Sequence, residues 1–263
     1  MTVTVGVLAL QGAFLEHLVL LRNAAVRLNE KQGSFNFIEV RNKEDLSQCD
    51  ALIIPGGEST TISLVAAQSD LLEPLRQFVK VDRRPTWGTC AGLILLAEAA
   101  NATKKGGQEL IGGLDVRVNR NHFGRQIESF QADLNLQFLD DKFPGIFIRA
   151  PIVEKILPNI SGSQESEQRL ADTVVAPSRT AKDDAARAAM GSEVEVLGTL
   201  PGRLRKAAKQ GAEVNAEDDV GDIIAVRQGN VFGTSFHPEL TADTRIHQWW
   251  LREVQAALQR RSV

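Results

Sequence analysis

The 263-residue chain has only two cysteines, Cys49 and Cys90. That excludes a disulfide framework and a four-cysteine zinc site, and leaves room for one catalytic thiol. No apolar run reaches the roughly 18 residues that a membrane-spanning helix needs. The opening MTVTVGVLALQGAF lacks a basic leader and a cleavage site and turns polar at Gln11, so it reads as a buried strand rather than a signal peptide. Neither charge dominates: 30 Lys and Arg face 33 Asp and Glu, for a net charge of -3. Such a balance argues against a dedicated nucleic-acid or anionic-membrane surface. There is no Walker A loop, no Rossmann fingerprint and no His/Cys set with metal spacing, so neither metal nor cofactor is expected. The remaining class is an α/β protein of a reducing compartment, expected in the cytoplasm.

The hydrophobic fraction of 43% and charged fraction of 24% are ordinary for a globular chain. This length can bury a large core without staples. Val3–Leu10 is β-branched and continuously apolar, which suits a strand covered on both faces. Phe14–Leu28 has helical spacing. Phe35–Val40, Ala51–Pro55 and Pro85–Gly88 read as further strands, and Thr60–Ala67 and Leu71–Val79 as helical pieces. Ala91–Ala100, rich in Ala and Leu, reads as a strong helix. Alternating strands and helices imply an open, mostly parallel sheet with helices on both faces.

The second half is more strand-like, with candidates at Gly113–Asn119, Glu128–Leu136 and Gly145–Ile148. Gln-Gly-Asn between Ile223–Arg227 and Val231–Thr234 is a hairpin signal, and Asp243–Arg260 is a closing amphipathic helix. Residues 161–190 and 203–222 are poor in large apolar side chains. Such composition does not offset the entropy of ordering, so both read as mobile insertions in a single domain spanning 1–263, flanking a short strand at Glu193–Leu197.

The sharpest chemical signal is Gly88-Thr89-Cys90-Ala91-Gly92 between a short strand and an apolar helix. This is a thiol form of the nucleophile elbow, in which flanking glycines relieve crowding at a sharp turn. A helix N-terminus favours a thiolate there, and the Ala91 N–H can serve an oxyanion. A buried core cysteine is the competing reading. A thiol nucleophile needs a base and an orienter. Among four histidines, His237 in Ser-Phe-His-Pro-Glu is the best candidate base, because Glu239 two residues on can reach its ring. His17, His122 and His247 read as surface or packing residues, and Cys49 as structural. Pro55-Gly56-Gly57-Glu58-Ser59-Thr60 closes a strand where open α/β sheets bind ligands. Arg120, Arg125 and Arg149 lie near strand ends and could hold a substrate carboxylate bidentately.

These blocks resemble the glutaminase subunits of pyridoxal 5'-phosphate synthase, the Pdx2/PdxT/SNO family of class I-type glutamine amidotransferases. The resemblance rests on Gly6–Ala13 with Glu16-His17, Pro55–Thr61, Gly88–Gly92, Arg120–Phe130, Phe147–Pro151 and Ser235–Thr241, which span nearly the whole chain. It implies a flavodoxin-like three-layer fold with antiparallel additions in the second half. It implies Cys90 as nucleophile, His237 as base and Glu239 as orienter. Gly57, Glu58, Ser59, Arg120, Ile148 and Arg149 match substrate-binding positions. Gly57 and Ala91 match the oxyanion hole, which Gln11 joins when a partner docks. The substrate implied is L-glutamine, and the partner a TIM-barrel synthase subunit that activates the glutaminase and accepts its ammonia. The insertions and the longer Leu28–Phe37 connection depart from compact bacterial members. Two other functions fit the shared blocks less well: a glutaminase for another pathway, such as imidazole glycerol phosphate synthesis, and a silent scaffold that only binds the synthase.

Overall fold

A computed structural model of the chain describes residues 2–28, 34–102, 108–120, 129–158, 173–200 and 221–261. His122, Arg125, the Phe123-to-Gln126 block, and the parts of the expected insertions at 161–172 and 203–220 lie outside the described residues.

The N-terminal half alternates as the sequence predicts: β1 (Val3–Leu8), α1 (Phe14–Arg27), β2 (Phe35–Val40), α2 (Lys43–Ser47), β3 (Ala51–Ile54), α3 (Ser59–Gln68), α4 (Leu72–Arg76), β4 (Thr86–Thr89) and α5 (Ala91–Leu96). A π-helical turn, Gln77–Val81, extends α4. Then come β5 (Ala97–Asn101), β6 (Leu114–Asn119), β7 (Ser129–Leu134), β8 (Phe143–Ile148), β9 (Ile152–Ile156), β10 (Thr173–Val175), α6 (Asp184–Ala188), β11 (Glu195–Leu200), β12 (Asp222–Gln228), β13 (Val231–Thr234) and α7 (Arg245–Arg261). Eleven strands form one sheet in the order β10-β5-β6-β9-β12-β13-β4-β3-β1-β2, with β11 paired to β12. Its β2-β1-β3-β4-β13 portion is parallel throughout, while β6-β9-β12-β13 is antiparallel. β7 and β8 form a separate antiparallel hairpin.

Side chains alternate across the parallel strands, so each strand feeds two cores. Leu52 and Ile54 of β3 face one core with α3, α4 and α5. Ala51 and Ile53 face the other, with α1, α7 and the β7–β8 hairpin. This makes three layers, with the strand ends of the parallel portion gathered at one edge. None of the described helices is long and apolar enough to cross a membrane.

Two expectations are corrected. The helix expected over 91–100 stops at Leu96, and Ala97–Asn101 becomes a strand parallel to β6. Sheet pairing overrides the helix propensity of the Ala-rich segment, because small side chains fit a strand buried on both faces. Glu98, in the middle of that strand, accepts the Gly113 N–H and the Lys80 ammonium, each at 2.8 Å. The mobile insertion expected over 161–190 is wrong for its second half. Thr173–Val175 pairs with β5, and the Asp183 carboxylate caps α6 by accepting the Ala186 N–H at 2.7 Å. Ala176, Ala181, Ala186 and Met190 are buried there. Small apolar residues suffice at a sheet edge, which bulk composition does not reveal.

Candidate active site

Cys90 sits in the turn between β4, at the centre of the parallel sheet, and α5. Its backbone is left-handed, at φ 48° and ψ -100°, a strained conformation that persists only when its surroundings enforce it. The Cys90 N–H donates to the Thr234 carbonyl at 2.8 Å, tying the turn to β13. The spacing Gly-x-Cys-x-Gly is explained by crowding. A Cβ at Gly88 would lie 2.4 Å from the Gly92 backbone, and one at Gly92 2.0 Å from the Ile54 carbonyl oxygen. Ala91 opens α5, so its N–H has no intrahelical acceptor and is free for an anion.

His237 follows β13, and its N–H donates to the Ile146 carbonyl at 2.8 Å, which docks this loop on β8. Pro238 starts a 3-10 turn, Pro238–Leu240, that folds Glu239 back under the ring. Nδ1 of His237 then lies 2.7 Å from Oε1 of Glu239. The other face of the imidazole meets the Cys90 thiol in a hydrogen bond. Burial pulls the His237 pKa down, but the hydrogen bonds from Cys90 and Glu239 and their negative charge outweigh it and raise it to about 10. Cys90, His237 and Glu239 are all buried. Gly56 is pressed against this ring: a Cβ there would lie 2.3 Å from Cε1 of His237.

The Gly-rich turn lies beside the triad. Glu58 caps α3: its carboxylate accepts the Thr60 N–H at 3.1 Å and the Thr61 N–H at 2.6 Å. Although its own burial opposes ionisation, these bonds hold the Glu58 carboxyl below its ordinary range. The Gln11 side-chain oxygen accepts the Glu58 N–H at 2.8 Å, so Gln11 adjoins the Gly57–Glu58 peptide. Arg120 is buried, which lowers its pKa to about 10 against the pull of the Glu58 charge. One of its amino groups meets Oε1 of Gln108, which also accepts the Ser59 and Thr60 hydroxyls at 3.3 and 3.2 Å. Nε and the other amino group of Arg120 have no acceptor among the described residues. Buried unpaired guanidinium donors suit a ligand carboxylate.

Sequence reasoning missed Gln108, which joins Ser59, Thr60 and Arg120. It also treated His17 as packing, whereas His17 is buried 3.4 Å from Glu239. Ile148 ends β8 on the strand that holds the His237 loop. Arg149 is exposed with a left-handed backbone, φ 45°, and among the described residues no polar contact joins it to the triad. Among the described residues no cluster of three His, Cys, Asp or Glu could hold a metal.

A thiol in a strained elbow, a carboxylate-held imidazole and free N–H groups can attack a carbonyl carbon and hold the resulting oxyanion. The comparisons agree. The profile of the SNO glutamine amidotransferase family matches residues 7–182 and 201–256. A probable pyridoxal 5'-phosphate synthase subunit PDX2 of Arabidopsis thaliana is 40% identical over 260 residues, covering 95% of this chain and 85% of its own. The PdxT subunit of the same synthase from Thermococcus onnurineus is 36% identical over 249 residues, covering 95% and 98%. A crystal structure of a glutamine amidotransferase superposes with a TM-score of 0.62 at 35% identity, covering 95% of this chain and 98% of that one. The chain belongs to the SNO glutamine amidotransferase family.

Proposed function

We propose that the chain hydrolyses L-glutamine to L-glutamate and ammonia through a Cys90-His237-Glu239 triad and supplies the ammonia to a pyridoxal 5'-phosphate synthase subunit. The Cys90 thiolate forms a bond to the side-chain amide carbon of glutamine. The oxyanion so formed is held by the N–H groups of Gly57 and Ala91, with Gln11 completing the hole when the synthase subunit docks. The C–N bond breaks as His237 gives its proton to the leaving nitrogen, and ammonia departs from a cysteinyl thioester. His237 then takes a proton from water, which attacks the thioester; the C–S bond breaks, releasing glutamate and restoring the thiolate. Glu239 holds the imidazole in one tautomer and balances its positive charge. Arg120, with its unpaired donors, takes the α-carboxylate of glutamine, and Glu58, Ser59, Ile148 and Arg149 line the rest of the substrate site. No cofactor enters this chemistry.

The observation that carries the reading is the strained Cys90 hydrogen-bonded to a histidine that a carboxylate holds at 2.7 Å. The synthase partner, expected as a TIM-barrel, rests on the two relatives named as subunits of pyridoxal 5'-phosphate synthase. Ammonia released to water is lost by dilution, which gives a docked acceptor its physical rationale. Glutamate release should rise when the cognate synthase subunit is added. Release that ignores the synthase would indicate a different acceptor, and complex formation without release would indicate a silent scaffold.

A further inference from the structure

Behind Glu239 lie two buried histidines, drawn from the first and last helices. His17 of α1 and His247 of α7 are both fully buried. Nδ1 of His17 lies 3.0 Å from Nε2 of His247. Nε2 of His17 lies 3.2 Å from the Thr89 hydroxyl and 3.4 Å from Oε2 of Glu239. Trp87 packs edge-on against both rings.

The proton positions follow from satisfaction. Nδ1 of His247 and Oε2 of Glu239 have no hydrogen-bond partner among the described residues. A buried N–H without an acceptor costs more than a bare ring nitrogen, so His247 carries its proton on Nε2 and donates to Nδ1 of His17. His17 must then carry its own proton on Nε2, and that N–H faces Thr89 and Glu239. We infer that His17, set by His247, is a positioning residue that holds Glu239 from behind while Glu239 holds His237, so that one carboxylate bridges two imidazoles. Burial lowers the pKa of both helical histidines, His247 to about 3 and His17 well below the ordinary histidine range, with the neighbouring His247 and His237 adding to the effect of burial on His17. A neutral donor fixes the carboxylate without cancelling the charge that His237 needs when protonated. Glu239 and His237 face the cluster from the loop, His247 from α7, and Asp243, before α7, is the nearest further charge on His247.

The inference rests on the thiol chemistry of the proposed triad and is tested separately from it. The full chain with its synthase subunit is compared as wild type, His17→Leu, His17→Gln and His17→Asn. Glutamine turnover and the pH profile of Cys90 alkylation by iodoacetamide are measured on each. A glutamine amide reaches the Nε2 position and donates to Glu239, whereas an asparagine amide stops at the Nδ1 position. His17→Leu and His17→Asn should lower kcat by roughly 10- to 100-fold with KM unchanged. Their alkylation profiles should show the high-pH limb of the thiolate–imidazolium pair shifted to lower pH by about one unit, because a loosened Glu239 raises the His237 pKa less. His17→Gln should restore both. Equal behaviour of the Gln and Asn variants, or an alkylation profile identical in all four proteins, would overturn the inference. If Leu fails to fold, the Gln–Asn contrast decides alone. A profile shifted in His17→Asn and restored in His17→Gln, in a protein whose wild type releases no glutamate, would sustain the inference and refute the hydrolase.

Discussion

At the residue scale the site depends on close approach. Gly56 touches the His237 ring so tightly that a methyl group would lie 2.3 Å from Cε1. Gly56→Ala should therefore displace the His237 ring, lower kcat roughly 10²-fold, since a misplacement of about 1 Å costs that much, and lower thermal stability by about 1–3 kcal/mol through overpacking. Steady-state kinetics beside calorimetry check it. The raised pKa of His237 has a second consequence. Its hydrogen bond to Cys90 is the largest effect lifting it to about 10 against burial. Cys90→Ala should lower that pKa, read from the imidazole resonances in an NMR titration. In the native protein the charged His237 contributes stability that is full below pH 6.5 and is lost as pH rises through about 10. A His237 titration unchanged by Cys90→Ala would break the link between thiol and base.

At the scale of elements, the legible features were those with a local signature. β-branched runs marked the parallel strands, paired glycines marked the turn at Cys90, and the two-residue spacing of His237 and Glu239 marked the contact between ring and carboxylate. β5 was illegible because its Ala-rich sequence is locally helical and becomes a strand only through β6 and β10. The buried Lys80–Glu98 pair, 2.8 Å apart, fixes that strand to the π-helical turn. Burial raises the Glu98 pKa despite the opposing Lys80 charge, so loss of the lysine leaves a costly carboxylate. Lys80→Met should destabilise by about 3–5 kcal/mol, and Lys80→Met with Glu98→Leu should regain part of that. Urea denaturation measures both. If the single change costs under about 1 kcal/mol, the pair is not what anchors β5.

For the whole molecule, the histidine pair joins residues 230 positions apart, a contact that no local pattern encodes and that exists only once α1 and α7 pack on the same sheet face. The same burial sets the acid limit of the fold. In the unfolded chain His17 and His247 bind protons near pH 6.5, whereas in the fold His17 resists until well below that and His247 until about 3. Between those limits the unfolded state binds more protons, so stability rises with pH there, by about 1.4 kcal/mol per pH unit for each proton. The urea midpoint should fall on acidification from pH 6.5 toward 4, and His247→Phe should flatten that dependence by about half. A dependence identical in wild type and His247→Phe would show that other groups set the acid limit.

The chemistry turns on acylation of Cys90 by glutamine. Acid quenching during turnover, followed by mass analysis of the Cys90 peptide, reads it directly. A γ-glutamyl adduct on Cys90 that forms with glutamine, decays as glutamate appears, and is absent from Cys90→Ala is the predicted result. Undiminished glutamate release by Cys90→Ala, with no adduct in the wild type, would contradict it.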